Sequence, residues 1–195
     1  MFSLRNIEPI QITQEMLDEC KQPRNSAPEI CVIQTGGSID KDYPKNIGGY
    51  AFEISEPAAK RILSIGKCGI PVQHVISCRK DSSDITQGDR RSLLKACQSA
   101  PCDRILITHG TDSMIETAQF LSSATGIFDK TIMITGSFLP ETFRDTDAHF
   151  AFGFALGALQ CTQVSGVFIA MNGRVFVSNN VRRCEKTGKF IGVDS

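Results

Sequence analysis

The sequence predicts an α/β fold in which a mainly parallel sheet is covered by helices on both faces, a flavodoxin-like or Rossmann-like α/β/α sandwich. Five runs of five or six mostly apolar residues alternate along the chain with segments of helical periodicity. Strands that are apolar on both faces are typical of parallel sheets, because helices cover both sides. A chain of 195 residues with 41% hydrophobic residues is long enough for one such domain.

The elements follow one another in a regular order after an extension, residues 1–28, in which Thr13–Lys21 is predicted as a short helix. The domain is assigned to residues 29–195. Its strands are predicted at Glu29–Gln34, Val72–Ser77, Arg104–Thr108, Thr131–Thr135 and Gly166–Met171. Its helices are predicted at Pro57–Ile65, Asp89–Ala100, Ser113–Ala124 and Asp147–Leu159, each with apolar residues on a common face.

Turn and cap signals divide these elements. Ser113 to Glu116 has the Ser-x-x-Glu pattern of a capping box at a helix start. Asn172-Gly173 is a strong turn signal, and Val175–Val177 with Phe190–Val193 is predicted as a terminal ribbon.

The helix Asp147–Leu159 has almost no polar face. Its apolar residues include Phe150, Phe152, Phe154 and Leu156. A helix that is apolar all round must be buried on several sides. In a chain of this length a subunit interface would cover it, so we expect a homo-oligomer, a dimer or a tetramer.

Composition excludes several classes of protein. Lysine plus arginine and aspartate plus glutamate number 21 each, so the net charge gives no support for binding to nucleic acid or to a membrane surface. The first twenty residues lack the apolar core of a signal peptide, and no apolar run is long enough to span a bilayer. Eight cysteines are spread singly without a C-x-x-C pair, which indicates reduced thiols in a cytoplasmic protein. No histidine pattern indicates a metal site, and no cofactor is expected.

Polar clusters follow three of the predicted strands. They are Thr35-Gly36-Gly37-Ser38-Ile39-Asp40, then Lys80-Asp81-Ser82-Ser83-Asp84, then His109-Gly110-Thr111-Asp112. In open α/β sheets, ligands bind at the carboxyl ends of the strands. Taken separately, the first two clusters read as an ordinary turn and as a solvated loop in which Asp84 or Thr86 caps the next helix. For His109, a hydrogen bond that braces its loop is favoured over catalysis.

Together, the segments TGGSID, DSSD and THGTD resemble the L-asparaginase family, whose usual forms are TGGTI, a DS-Q/S/L-D loop and HGTDT. The segments MITGSFLP and FIAMNGRVF extend the resemblance to about residues 29–193. It covers the amino-terminal catalytic domain alone and is similar to the short single-domain asparaginases of certain bacteria. The resemblance implies hydrolysis of the side-chain amide of L-asparagine, or of L-glutamine or a related amide, to the acid and ammonia.

The resemblance also implies roles for individual residues. Ser38 stands at the position of the nucleophile, and Tyr50 at that of the lid tyrosine that hydrogen-bonds it, with Tyr43 as the rival assignment. Ser82 would receive the substrate α-carboxylate, helped by Ser83 and nearby amides. Asp112 would bind the α-ammonium, and Thr111 belongs to the family's Thr-Lys-Asp triad. The remaining expected binding residues are Gly37, Asp81 and Gly110; Gly37 or another turn amide would stabilise the oxyanion.

Two positions depart from the family pattern. Ser38 replaces a threonine, which keeps the hydroxyl but leaves its orientation less fixed. Arg183 falls where the triad has lysine, and arginine cannot act as a base; Lys186 is close in sequence as a substitute. The leading hypothesis is therefore an asparaginase-type amidohydrolase. The alternative is a catalytically weak or inactive protein that binds an amino acid as a sensor or scaffold.

Overall fold

The computed structural model describes residues 28–45 and 52–193. The strands within these ranges are β1 (Ile30–Gly36), β2 (Lys41–Asp42), β3 (Glu53–Ile54), β4 (Val72–Lys80), β5 (Arg104–Thr108), β6 (Thr131–Thr135), β7 (Gly166–Met171), β8 (Arg174–Val177), β9 (Arg182–Arg183) and β10 (Phe190–Ile191). The helices are α1 (Ala58–Ile65), α2 (Gln87–Ser99), α3 (Met114–Ser122) and α4 (Ala148–Cys161). The predicted helix Thr13–Lys21 and Tyr50 lie outside the described residues.

The main sheet has the strand order β4-β1-β5-β6-β7-β8. The first five of these strands are parallel, and β8 pairs antiparallel with β7 at the edge. The chain passes from β1 to β4 on one side and then to β5 on the other, so the direction of winding reverses between β1 and β5. Such a switch point opens a crevice at the carboxyl ends of its two strands.

Helices cover both faces of the sheet, as the sequence predicts. On one face Leu93, Met114 and Leu121 from α2 and α3 pack on alternate residues of the strands. On the other face Ile62 from α1 and Phe152 from α4 pack on the remaining strand residues. Because both faces are buried, the central strands are continuously apolar rather than alternating. In the described part of the chain, no helix is both long and apolar enough to cross a membrane.

Two local predictions are wrong. Ser113 makes no capping hydrogen bond; its hydroxyl donates instead to the carbonyl of Ser82 at 2.5 Å. The capping box of this structure is at Thr86 and Asp89, where the threonine hydroxyl accepts the Asp89 amide. The terminal ribbon joins β9 to β10, whereas Val175–Val177 belongs to β8 and pairs with β7. The turn at Asn172-Gly173 is confirmed, with φ of 54° and 71°.

Helix α4 is buried on one face rather than on several. Phe152, Ala155 and Leu159 are fully buried against the sheet, while Phe150 is 64% exposed. A Cβ added at Gly153 or Gly157 would meet no described atom within 4 Å. The outward face of α4 is therefore apolar and uncovered within the described residues.

Candidate active site

Three strand ends converge at the switch point between β1 and β5. Gly37 follows β1, Gly110 follows β5, and Ser82 follows the neighbouring strand β4. A Cβ added at Gly37 would lie 2.2 Å from the Gly110 Cα, and one at Gly110 would lie 2.6 Å from the Ser82 Oγ. The three polar clusters of the sequence therefore form one site, and the two glycines are needed because their backbones touch.

Backbone conformation explains the glycine pair that precedes Ser38. Gly36 and Gly37 have φ of 113° and 84°, values that only glycine adopts without strain. The Gly37 amide donates to the carbonyl of Lys80 at 3.0 Å. That amide is therefore occupied, and the expectation that it stabilises an oxyanion is not met. The Thr111 amide, by contrast, donates to none of the residues that the structure describes.

Ser82 is the buried anchor of the second loop. Its side chain is 1% exposed, and its Oγ accepts the amide of Asp112 at 3.0 Å. Its own amide donates to the Asp81 carboxylate at 3.0 Å, which also forms an ion pair with Lys41. Ser82 thus links the DSSD and HGTD segments directly. Ser83 points to solvent as an exposed residue, away from these contacts.

The Asp112 carboxylate is paired with Arg183. The Arg183 Nη1 donates to the Asp112 Oδ1 at 2.8 Å, and the Asp112 side chain is 63% exposed. These two residues are 71 positions apart in the sequence. The ribbon β9–β10, which carries Arg183, brings them together. Lys186, the substitute considered for the triad lysine, is exposed and forms no ion pair with a described carboxylate.

The two hydroxyls expected to carry the reaction are in different surroundings. Thr111 is nearly buried, with 9% of its surface exposed, and Ser38 is half-buried at the start of a 3-10 turn. Neither hydroxyl has a hydrogen-bond partner among residues 28–45 and 52–193. Tyr43 is 66% exposed, with its ring centroid 5.0 Å from that of Phe52. Tyr50, the other candidate for the lid tyrosine, lies outside the described residues.

Asp40 is a buried carboxyl beneath the Ser38 turn that sequence reasoning missed. It is 2% exposed, accepts the Ala58 amide at 2.8 Å and the Thr108 hydroxyl at 3.3 Å. Burial raises the pKa of this carboxyl to about 7, although those hydrogen bonds and one from Gln34 lower it. Its position directly after the TGGSI segment could have marked Asp40 as a candidate site residue.

His109 braces its loop rather than facing the site. It is fully buried, and its Nδ1 lies 2.7 Å from the Gly110 carbonyl. Burial lowers the pKa of the imidazole to about 4, so the ring is neutral at pH 7. Among the described residues, no three His, Cys, Asp or Glu side chains cluster as metal ligands would.

Comparison with known proteins identifies relatives of this arrangement. Residues 29–190 match the family model described as asparaginase, N-terminal. The chain is 28% identical over 179 residues to L-asparaginase 2 of Escherichia coli K12, an alignment that covers 82% of this chain and 47% of that relative. The chain thus spans about half the length of the relative it matches.

Two solved structures share the fold. The thermostable L-asparaginase of Thermococcus kodakarensis superimposes with a TM-score of 0.70 at 24% identity, over 85% of this chain and 51% of that one. The probable cytoplasmic L-asparaginase of Campylobacter jejuni superimposes with a TM-score of 0.72 at 22% identity, over 86% of this chain and 54% of that one. At these identities the likeness concerns the fold.

Proposed function

The chain belongs to the asparaginase family, and on that basis we propose that it hydrolyses the side-chain amide of L-asparagine, or of L-glutamine or a related amide. The observation that carries the proposal is the meeting of Gly37, Ser82 and Gly110 at the switch point. This meeting supports a shared crevice in which Ser38 is the proposed nucleophile, Ser82 the proposed carboxylate-binding hydroxyl and Asp112 a third binding group, since open α/β sheets bind ligands at such a point.

In the proposed binding mode, the two ends of the substrate use different loops. Ser82, with Asp81 holding its loop, receives the α-carboxylate, and Asp112 faces the α-ammonium. Arg183 donates to the Asp112 Oδ1, and the Oδ2 accepts no hydrogen bond from a described residue. Charge-assisted hydrogen bonds of this kind are shorter and stronger than neutral ones.

In the proposed reaction, the Ser38 Oγ attacks the carbon of the substrate amide, and the hydroxyl proton is transferred to the amide nitrogen. The C–N bond of the tetrahedral intermediate then breaks, the nitrogen leaves as ammonia, and water hydrolyses the acyl-enzyme to the free acid and regenerates the Ser38 hydroxyl. The Thr111 amide is the proposed donor to the oxyanion, because the Gly37 amide is already used by Lys80. Arg183 would stabilise developing negative charge but cannot accept the proton.

Ammonia release from L-asparagine and L-glutamine tests the proposal, with Ser38→Ala, which lacks the proposed nucleophile, as the control. We expect release by the unmodified protein and a loss of at least tenfold in the variant. Equal signals would contradict the proposal. The relatives named above are all described as asparaginases, so the alternative of a binding or scaffold protein gains no support from them. Binding of aspartate without any release of ammonia from L-asparagine or L-glutamine would indicate this alternative.

We also propose a homo-oligomer and a cytoplasmic location. The uncovered apolar face of α4 supports the first, because exposed Phe150 lies beside Gly153, where no described atom blocks a neighbour. Light scattering at micromolar concentration tests it, and a monomer would count against it. One structural neighbour is described as cytoplasmic, while a relative in Haemophilus influenzae is described as periplasmic. Cell fractionation distinguishes the two locations.

A further inference from the structure

The Arg183 guanidinium is held in place by four contacts. Its Nη1 donates to Asp112 at 2.8 Å and its Nε to the Gly188 carbonyl at 3.2 Å. Its central carbon lies 5.9 Å from the ring centroids of Phe138 and of Phe190. Aromatic faces attract a guanidinium electrostatically. A long side chain held in this way is a fixed part of the site wall.

The carboxylates that contact the site are already neutralised. Asp112 is paired with Arg183, and Asp81 is paired with Lys41. The wall expected to hold a substrate ammonium therefore carries no net negative charge at these two positions. A ligand ammonium that approached the free Oδ2 of Asp112 would stand close to the positive charge of Arg183.

That positive charge is permanent. A lysine at this place could lose its proton when a cationic ligand binds, but arginine stays charged in proteins. The carboxylate-binding side of the site is unaffected, because Ser82, the proposed partner of the carboxylate, makes no hydrogen bond with Arg183. The ammonium of a ligand should therefore add little binding free energy at this site, while the carboxylate of the ligand still binds at Ser82.

We propose that Arg183 makes this site accept monoamides of dicarboxylic acids that have no free α-ammonium, with succinamate as the simplest, at least as well as L-asparagine. This inference rests on the proposed function and names its substrate class. Hydrolysis of succinamate consumes one water, breaks the same C–N bond and yields succinate and ammonia. Arg183 is here a specificity-determining residue.

Calorimetric titration with the two products tests the inference, because succinate and L-aspartate differ only in the ammonium. For the unmodified protein at pH 7 we expect a Kd for succinate equal to or below that for L-aspartate. Arg183→Met keeps the apolar stem and removes the charge, and Arg183→Gln keeps a donor toward Asp112 without the charge. In either variant we expect the ratio of the two Kd values to change at least tenfold in favour of L-aspartate.

The outcomes separate the two proposals. If the unmodified protein binds L-aspartate ten times more tightly than succinate, the inference is overturned and the amidohydrolase proposal stands. An unchanged ratio in both folded variants would also overturn it. If the protein binds neither acid and releases ammonia from neither L-asparagine nor succinamate, the proposed function itself fails, and the inference fails with it.

Discussion

Replacing the buried carboxyl of Asp40 with an amide should change how stability depends on pH. Burial raises the pKa of Asp40 from 3.8 to about 7 in the folded protein. Between these pH values the unfolded chain has lost the proton and the folded chain retains it, so stability falls as pH rises. At about 1.36 kcal/mol per pKa unit, the full effect is about 4 kcal/mol.

The surroundings of Asp40 support a neutral carboxyl. Asp40 is 2% exposed and forms no ion pair with a described cation, so burial opposes its charged form. The amide of Asp40→Asn is neutral at every pH and has nearly the shape of the protonated carboxyl. The asparagine carbonyl can still accept the Ala58 amide, as the Asp40 Oδ1 does at 2.8 Å.

Urea unfolding of both proteins at pH 4 and pH 8 measures the effect. The stability of Asp40→Asn relative to the unmodified protein should rise by about 4 kcal/mol from the lower to the higher pH. The titration of His109 opposes this slope but is common to both proteins and cancels in the difference. A relative stability that is independent of pH, within about 1 kcal/mol, would refute the reasoning.

Asp42→Asn is the matched control. Burial is the largest single influence and raises the pKa of Asp42, but hydrogen bonds from the Tyr43 amide and from Arg61 together outweigh it, and the pKa is lowered overall. This carboxylate therefore stabilises the fold above its unfolded pKa of about 3.8, and its contribution is lost only as pH falls below that value. The relative stability of Asp42→Asn should therefore change little between pH 4 and pH 8, in contrast to that of Asp40→Asn.

Three further substitutions and one control variant test the site and the core. Arg183→Lys should raise kcat for ammonia release from succinamate, a substrate without an ammonium, with little change in KM, because lysine can give up a proton; an unchanged rate would show that this position does not limit proton transfer. Gly110→Ala places a Cβ 2.6 Å from the Ser82 Oγ, so aspartate binding should weaken at least tenfold by calorimetry; Gly153→Ala, whose Cβ meets nothing within 4 Å, should bind as before. Phe152→Ala empties a fully buried position of α4 and should lower the free energy of unfolding by about 3–5 kcal/mol. Urea unfolding would contradict that expectation if the loss were under about 1 kcal/mol, the size expected for a surface position.

The order and type of the main elements were predictable because apolar periodicity reports burial directly. The strands Arg104–Thr108, Thr131–Thr135 and Gly166–Met171 were predicted with the bounds that the structure has. Elsewhere the ends moved; β4, for example, continues to Lys80 rather than ending at Ser77. The three extra residues, Cys78, Arg79 and Lys80, are half-buried or exposed. Apolar periodicity therefore does not mark them as part of the strand.

The residues that sequence reasoning missed depend on contacts between distant segments. A Ser-x-x-Glu pattern at Ser113 looks like a cap, but the hydroxyl has a better partner in the Ser82 carbonyl, 31 positions away. The proton affinity of Asp40 depends on burial beneath Ala58 and Thr108, which a local pattern does not show. The Gly37 amide is likewise occupied by a carbonyl of a neighbouring strand.

The ribbon β9–β10 stands apart from the main sheet and yet supplies the guanidinium of the site. It pairs only with itself, and Asn172 and Asn180 tether it by accepting the amides of Phe190 and Val193. Because the ribbon carries the cation and the turn after β1 carries the proposed nucleophile, a substitution in the ribbon can change the charge of the site without altering the strands that form the crevice. Change of substrate in such a protein can begin in its ribbon, while the central strands preserve the crevice.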